Sequence, residues 1–158
     1  MMLRAGRKHT LDRRGALTVE FALVLPIMGM LLAALMEFGH FYMVVHTLNA
    51  AARRGAHLGC HENITTAQVE DRVKGIVGSA IAATAATVRV ADASVFDSAD
   101  MDPKSVNFNT LPTVELSTRK TGDCYMVQVT VPYDNVALLP PFWLKGRTVI
   151  GRAVMRHE

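Results

Sequence analysis

From Phe21 to Met36 no residue carries a full charge, and two carboxylates, Glu20 and Glu37, bracket the run. With a helical rise of 1.5 Å per residue this stretch spans roughly 24 Å. The weakly polar flanks at 15–18 and 38–45 lengthen it enough to cross a hydrocarbon layer of ~30 Å. The segment is apolar on every face, unlike the one-sided stripe of a core helix. It predicts a membrane-spanning helix that continues through Phe41, Tyr42 and Val45 to about His57 or Leu58, with Gly59 as its stop. Past the membrane part the pattern narrows to a stripe of mostly small residues: Leu48, Ala51, Ala52, Gly55, Ala56 and Gly59. Gly29 with Ala33 repeats that spacing further upstream. Small residues let helices approach closely. Packing on the protein's own sheet uses the same stripe, and spacing alone leaves both partners open.

Downstream, the period changes twice. Thr65 and Gln68 form a capping-box pattern, and Val69, Val73, Ile76, Val77 and Ala80 follow on one face, predicting an amphipathic helix over 66–83. Val88 and Val90 then flank Arg89, and Val114 and Leu116 flank Glu115. Tyr125, Val127, Val129 and Val131 alternate with Met126, Gln128 and Thr130, which is the strand period. Thr121-Gly122-Asp123 is a turn cluster expected to join the 114–116 and 125–131 segments into a hairpin. Residues 148–156 supply a last strand. The expected fold is therefore α+β: a long hydrophobic helix spine, a second helix, and an antiparallel sheet of three or four strands. Residues 92–110 are polar and turn-rich and read as a variable surface loop. They lack the glycine and terminal glutamate of a calcium-binding EF-hand loop. The apolar connection Leu138-Leu139-Pro140-Pro141-Phe142-Trp143-Leu144 is expected to pack beneath the sheet, the alternatives being an exposed docking patch or, through Trp143 beside Lys145, contact with the membrane interface.

Charge alters this picture at one end only. The first fifteen residues hold Arg4, Arg7, Lys8, Arg13 and Arg14 against Asp12, a net of +4, whereas the whole chain has +3 and residues 16–158 sum to −1. The basic excess belongs to the leader, so no nucleic-acid-binding face is indicated. The same asymmetry predicts a cytoplasmic N-terminus and an extracytoplasmic C-terminal domain on a single-pass membrane protein.

Three export signals compete for such an N-terminus. A secretory signal peptide needs an A-x-A-like site just past its apolar region, and the nearest, Ala50 to Ala52, lies too far downstream and precedes Arg53 and Arg54. Paired arginines at 13 and 14 are weak evidence for a twin-arginine signal. Neither explains Glu20. Cleavage between Gly15 and Ala16 would retain the helix and make Glu20 the fifth residue of the mature chain. This arrangement resembles the type IV prepilin signal. More narrowly, GALTVEFALVLP, followed by Glu37 and NAAARRGAH, is similar to TadE-like minor pilins of tight-adherence (Flp-type) pilus systems.

The resemblance implies three regions: a basic prepilin leader over 1–15, a hydrophobic transmembrane and assembly helix over 16–59, and a pilin-like domain over 60–158. It also implies partners, namely a prepilin peptidase, other minor and major pilins, and inner-membrane pilus assembly proteins beside the lipid bilayer. Gly15 leaves backbone unobstructed for the peptidase. A carboxylate costs about 2.5–3.5 kcal/mol at the centre of a membrane helix and less near the interface. Cutting after Gly15 creates a counter-charge for Glu20, the new α-amino group of Ala16. Between staggered subunits that pairing would specify register, because either charge left alone is expensive. Pro26 removes a backbone hydrogen bond and crowds the carbonyl of Ala22, predicting a kink.

Cys60 and Cys124 are the only cysteines. Outside the cytoplasm an even pair predicts a disulfide, worth ~3–4 kcal/mol in the chain-entropy picture. His57, Cys60, His61 and Glu62 are the one cluster of metal-ligating types, but four ligands on so short a segment rarely close a tetrahedral shell. Neither a G-x-S-x-G nucleophile motif nor a phosphate loop occurs, and no cofactor is expected. The chain reads as an assembly or structural protein rather than an enzyme. The rivals are an uncleaved single-span membrane protein with an extracytoplasmic binding domain, and an exported enzyme whose apolar helix is discarded.

Overall fold

The computed structural model describes residues 13–98, 102 and 106–158, so the leader expected over 1–15 lies outside the described residues as far as residue 12. Two helices, α1 (Arg13–Gly59) and α2 (Thr66–Gly78), precede and flank strands β1 (Thr87–Asp92), β2 (Cys124–Pro132) and β3 (Thr148–Arg156), with short 3-10 turns between. The class is α+β. The chain divides into two units, Met1–Met36 and Glu37–Glu158.

Described residues of the first unit are helical, and their large side chains are exposed: Phe21, Leu23, Leu25 and Ile27 are each more than 60 % accessible. In water such a surface would be strongly unfavourable.

The second unit is built around one strand, β2, whose side chains are buried on both faces. β2 is the middle strand of an antiparallel sheet of order β1-β2-β3, with Val127 opposite Val90 on one side and Ala153 on the other. Tyr125, Val127, Val129 and Val131 are fully buried in a cluster with Val44, Leu48, Ala51, Ala52 and Ala56 of α1 and Val69, Val73 and Val77 of α2. The small-residue stripe of α1 is thus consumed by its own domain. A Cβ on Gly55 would lie 2.3 Å from Val73 Cγ2, and one on Gly151 would lie 2.5 Å from the backbone carbon of Leu48. Helix α1 approaches α2 and β3 so closely because neither position has a side chain.

Helix α2 starts as expected: the Gln68 N–H donates to Thr65 Oγ1 and the Thr65 N–H to Gln68 Oε1, at 3.3 and 2.9 Å. It ends at Gly78, five residues short of the expected 83. There the Ser79 hydroxyl takes the Ile76 carbonyl at 2.7 Å, a side-chain bond that competes with helix continuation.

Four sequence expectations change. Residues 114–116 form no strand and no hairpin with β2; Thr113 makes one bridge to Ala91 and Leu116–Thr118 is a 3-10 turn. Their polar groups are engaged by the start of α2 instead. Thr66 Oγ1 donates to Val114 O and accepts from Leu116 N–H, while Glu115 Oε1 accepts from Thr66 N–H at 2.8 Å. Leu116 is buried all the same, facing the core from a turn.

The described residues of 92–110 are more than a surface loop. Ala93 is fully buried, and Ala91, Leu111, Cys124 and Met126 form a second cluster backed by Val95, Phe96, Val106 and Phe108. This cluster covers the face of β2 opposite the helices. The Phe96 and Phe108 rings stack at 5.9 Å, and the Arg152 guanidinium lies 4.3 Å above Phe108.

The expected Cys60–Cys124 bridge is not formed; both are buried free thiols. Strand alternation explains it. Tyr125 faces the helices and its hydroxyl reaches Cys60 Sγ at 3.6 Å, so the adjacent Cys124 faces the second cluster, where its thiol meets Asp97 Oδ1 at 3.3 Å. One residue of register separates the partners onto opposite sheet faces.

Finally, the apolar connection 138–144 does not pack beneath the sheet. Leu138 and Phe142 are each 74 % exposed, and Leu139 and Trp143 are exposed as well; only Leu144 packs against the main core.

Candidate functional site

Residues singled out in the first unit share one helix. Gly15 stands near the start of α1 with open space where a Cβ would sit, and Ala16 follows it. Glu20 is exposed between the exposed Val19 and Phe21. One helical turn separates it from Ala16. The α-helix runs through Pro26 without a break, as membrane helices permit when a backbone group is re-satisfied locally.

The second unit contains a carboxylate site that sequence reasoning did not assemble. Glu37, its first residue, is buried. Three successive backbone N–H groups of the 138–144 connection converge on it: Leu144 donates to Oε1 at 2.7 Å, Trp143 to Oε1 at 3.1 Å, and Phe142 to Oε2 at 3.2 Å. An ionised carboxylate offers acceptors only, which suits this all-donor cradle. The Glu37 carbonyl also accepts from the Tyr133 hydroxyl at 3.1 Å, and His40 Nδ1 lies 3.3 Å from that hydroxyl oxygen. Phe41 closes the arrangement edge-on to the Tyr133 ring at 5.4 Å. Burial, with the Glu37 charge beside it, pushes the Tyr133 phenol up, so it stays a donor.

The connection itself is tied at both ends. Tyr133 N–H donates to Arg147 O at 2.8 Å, and Gly146 N–H donates to both Asp134 oxygens. Gly146 has φ +72°, a left-handed turn that suits glycine. Between these ties the Phe142 and Trp143 rings meet edge-to-face at 4.9 Å. The signals were present in the sequence, an acid closing an apolar run and an unusually apolar Pro-Pro-Phe-Trp connection, but a separation of 105 positions hid that they meet.

A separate groove of about 580 Å³ runs between α1 and β3, lined by Arg53, Arg54, His57 and Arg152 with Ala153, Val154 and Met155. It combines an apolar floor with a cationic rim. His57 and His61 rings contact at 5.8 Å.

Comparison with known families places the N-terminal part of the chain. The family model of TadE-like proteins matches residues 15–57. The match begins at Gly15 and takes in Glu20, Pro26, Glu37 and the Arg53-Arg54 pair, and residues 15–57 are accordingly TadE-like. No curated protein and no solved structure matches the chain. The TadE-like match over residues 15–57 is consistent with a TadE-like protein of tight-adherence pilus systems, and the long apolar helix is compatible with a single-pass membrane protein.

Proposed function

We propose that this chain is a minor pilin or pseudopilin that takes part in assembling a tight-adherence (Flp-type) pilus and in surface adhesion. It is made with the basic leader, inserted in the inner membrane with its N-terminus cytoplasmic, and cut by a prepilin peptidase between Gly15 and Ala16. The cut frees the Ala16 amine to pair with Glu20 of a neighbouring subunit, setting the register of packed helices. The Glu37–Glu158 unit lies outside the cytoplasm, and its cationic groove beside Arg53 and Arg54 is available to other pilus components. No step in this role asks the chain to catalyse a reaction.

The carrying observation is that the TadE-like match starts at Gly15, the residue before the inferred cut, and continues through the apolar helix. An exposed, all-round apolar helix beginning there is what a retained assembly helix requires. Intact mass of the protein from a host with its peptidase tests the reading. Loss of residues 1–15 is expected, and Gly15→Val should leave the leader attached. A full-length mass would instead favour the uncleaved single-span protein. Glu20→Ala is expected to be trimmed normally yet fail to co-purify with partner pilins; undiminished co-purification would remove the charge-pairing role.

A further inference from the structure

We infer that the 138–144 connection is a second membrane contact: an interfacial anchor whose aromatic tip dips into the headgroup region of the bilayer that α1 crosses. The inference rests on the membrane reading of α1 and goes beyond it, since an apolar helix alone says nothing about a loop a hundred residues downstream.

Three observations converge on a lipid partner. First, the connection exposes Leu138, Leu139, Phe142 and Trp143 within six residues, with the last two rings in contact, and exposed apolar clusters mark interaction sites. Second, its composition is that of an interface and not of a dry docking groove: a tryptophan and a phenylalanine at the tip, with exposed Lys145 and Arg147 immediately behind. Amphipathic rings favour the headgroup level, and long cationic side chains reach from there to water and phosphate. Third, the height is set by the chain itself. Residues 15–36 alone span about 33 Å as a helix, enough for the ~30 Å layer without 38–45; the next residue, Glu37, holds the backbone of Phe142, Trp143 and Leu144 through three hydrogen bonds. A loop tied within one residue of the end of the apolar run lies where a bilayer surface must be if that run is in lipid.

Glu37 then has a definite task. A carboxylate at this depth is costly unless satisfied, and the three N–H groups satisfy it. In return it fixes the loop's backbone, so that the rings are presented without the ordering cost of a free loop.

Trp143 is the only tryptophan of the chain, so intrinsic fluorescence of the full-length protein in phosphatidylcholine/phosphatidylglycerol vesicles reports on this loop alone. The inference expects blue-shifted emission, weak quenching by iodide, and stronger quenching by lipids spin-labelled near the headgroup than by lipids labelled deep in the chain. Phe142→Ser leaves the backbone clamp in place at an exposed position, and should reduce lipid quenching while leaving the thermal midpoint unchanged. Glu37→Gln should reduce lipid quenching too, through release of the loop. Red-shifted emission quenched by iodide would overturn the anchor, and so would a tryptophan shielded from both iodide and lipid, which would signal a protein partner. Alkaline carbonate extraction of the same vesicles separates the two readings. Retention with an unquenched Trp143 defeats the anchor alone, whereas release defeats the membrane reading of α1 as well.

Discussion

Gly151 offers the sharpest test of how the second unit is held together. It sits in β3 opposite Val129, and a Cβ there would lie 2.5 Å from Leu48 C, 2.6 Å from Leu48 O and 2.8 Å from Asn49 N. All three atoms are helix backbone, so no rotamer change relieves the clash; α1 or β3 must move. Overpacking a filled core costs typically ~1–3 kcal/mol, and a collision with backbone belongs at the upper end, so Gly151→Ala should destabilise the unit by about 3 kcal/mol. For a unit of this size that is a fall in thermal midpoint of roughly 10 °C. The measurement is near-UV circular dichroism of the detergent-solubilised full chain during heating, because its signal comes from packed aromatics and not from the apolar helix. Gly75→Ala is the internal control. Gly75 lies in α2 with nothing within 4 Å of a Cβ, so alanine there should stabilise by about 0.5–1 kcal/mol through helix propensity. Opposite signs for the two substitutions are expected. A Gly151→Ala midpoint equal to wild type would mean that α1 does not sit this close to β3, and the account of the small-residue stripe would fail with it.

Other outcomes follow from the same contacts. Burial would raise the Asp92 carboxyl, but the Arg119 guanidinium and the Ser94 N–H outweigh it and hold it below the ordinary aspartate range. A folded-state value lower than the unfolded one makes the carboxylate stabilising above the unfolded value, ~3.9, and that contribution disappears as pH falls through the folded value; Asp92→Asn should therefore flatten the acid limb of the thermal midpoint against pH. Alkylation under denaturing conditions without reductant should modify both Cys60 and Cys124. In the native protein Cys124 should react slowly, since burial and the neighbouring Asp97 carboxylate push its thiol up and the thiolate is the reactive form. Tyr125→Phe removes a buried hydroxyl that donates to Ala56 O and should lower stability by about 1 kcal/mol, visible in the same melts.

Much of this protein was legible from residue pattern alone, because the relevant physics is local. An uncharged run with no polar face can only be a helix in lipid or a deeply buried one. A capping box fixes the start of α2, alternation marks β2, and a glycine one residue ahead of a small residue and five ahead of a glutamate raises the TadE-like resemblance. Those signals depend on spacings of one to five positions. What stayed hidden depends on contacts between distant positions. Sequence could not choose between a neighbouring subunit's helix and the protein's own domain for the Ala51–Ala56 stripe; the close approach of α1 to Val73 of α2 and Gly151 of β3 chose the domain. It paired Cys60 with Cys124 by parity, whereas the alternation of β2 turned them to opposite faces. It read 92–110 as surface because polar residues predominate there, although a few apolar side chains suffice to cover a sheet. Above all, nothing local announces that Glu37 receives the backbone of Phe142, Trp143 and Leu144. A carboxylate's partner in an apolar setting is set by where the chain returns, and only the folded topology decides that.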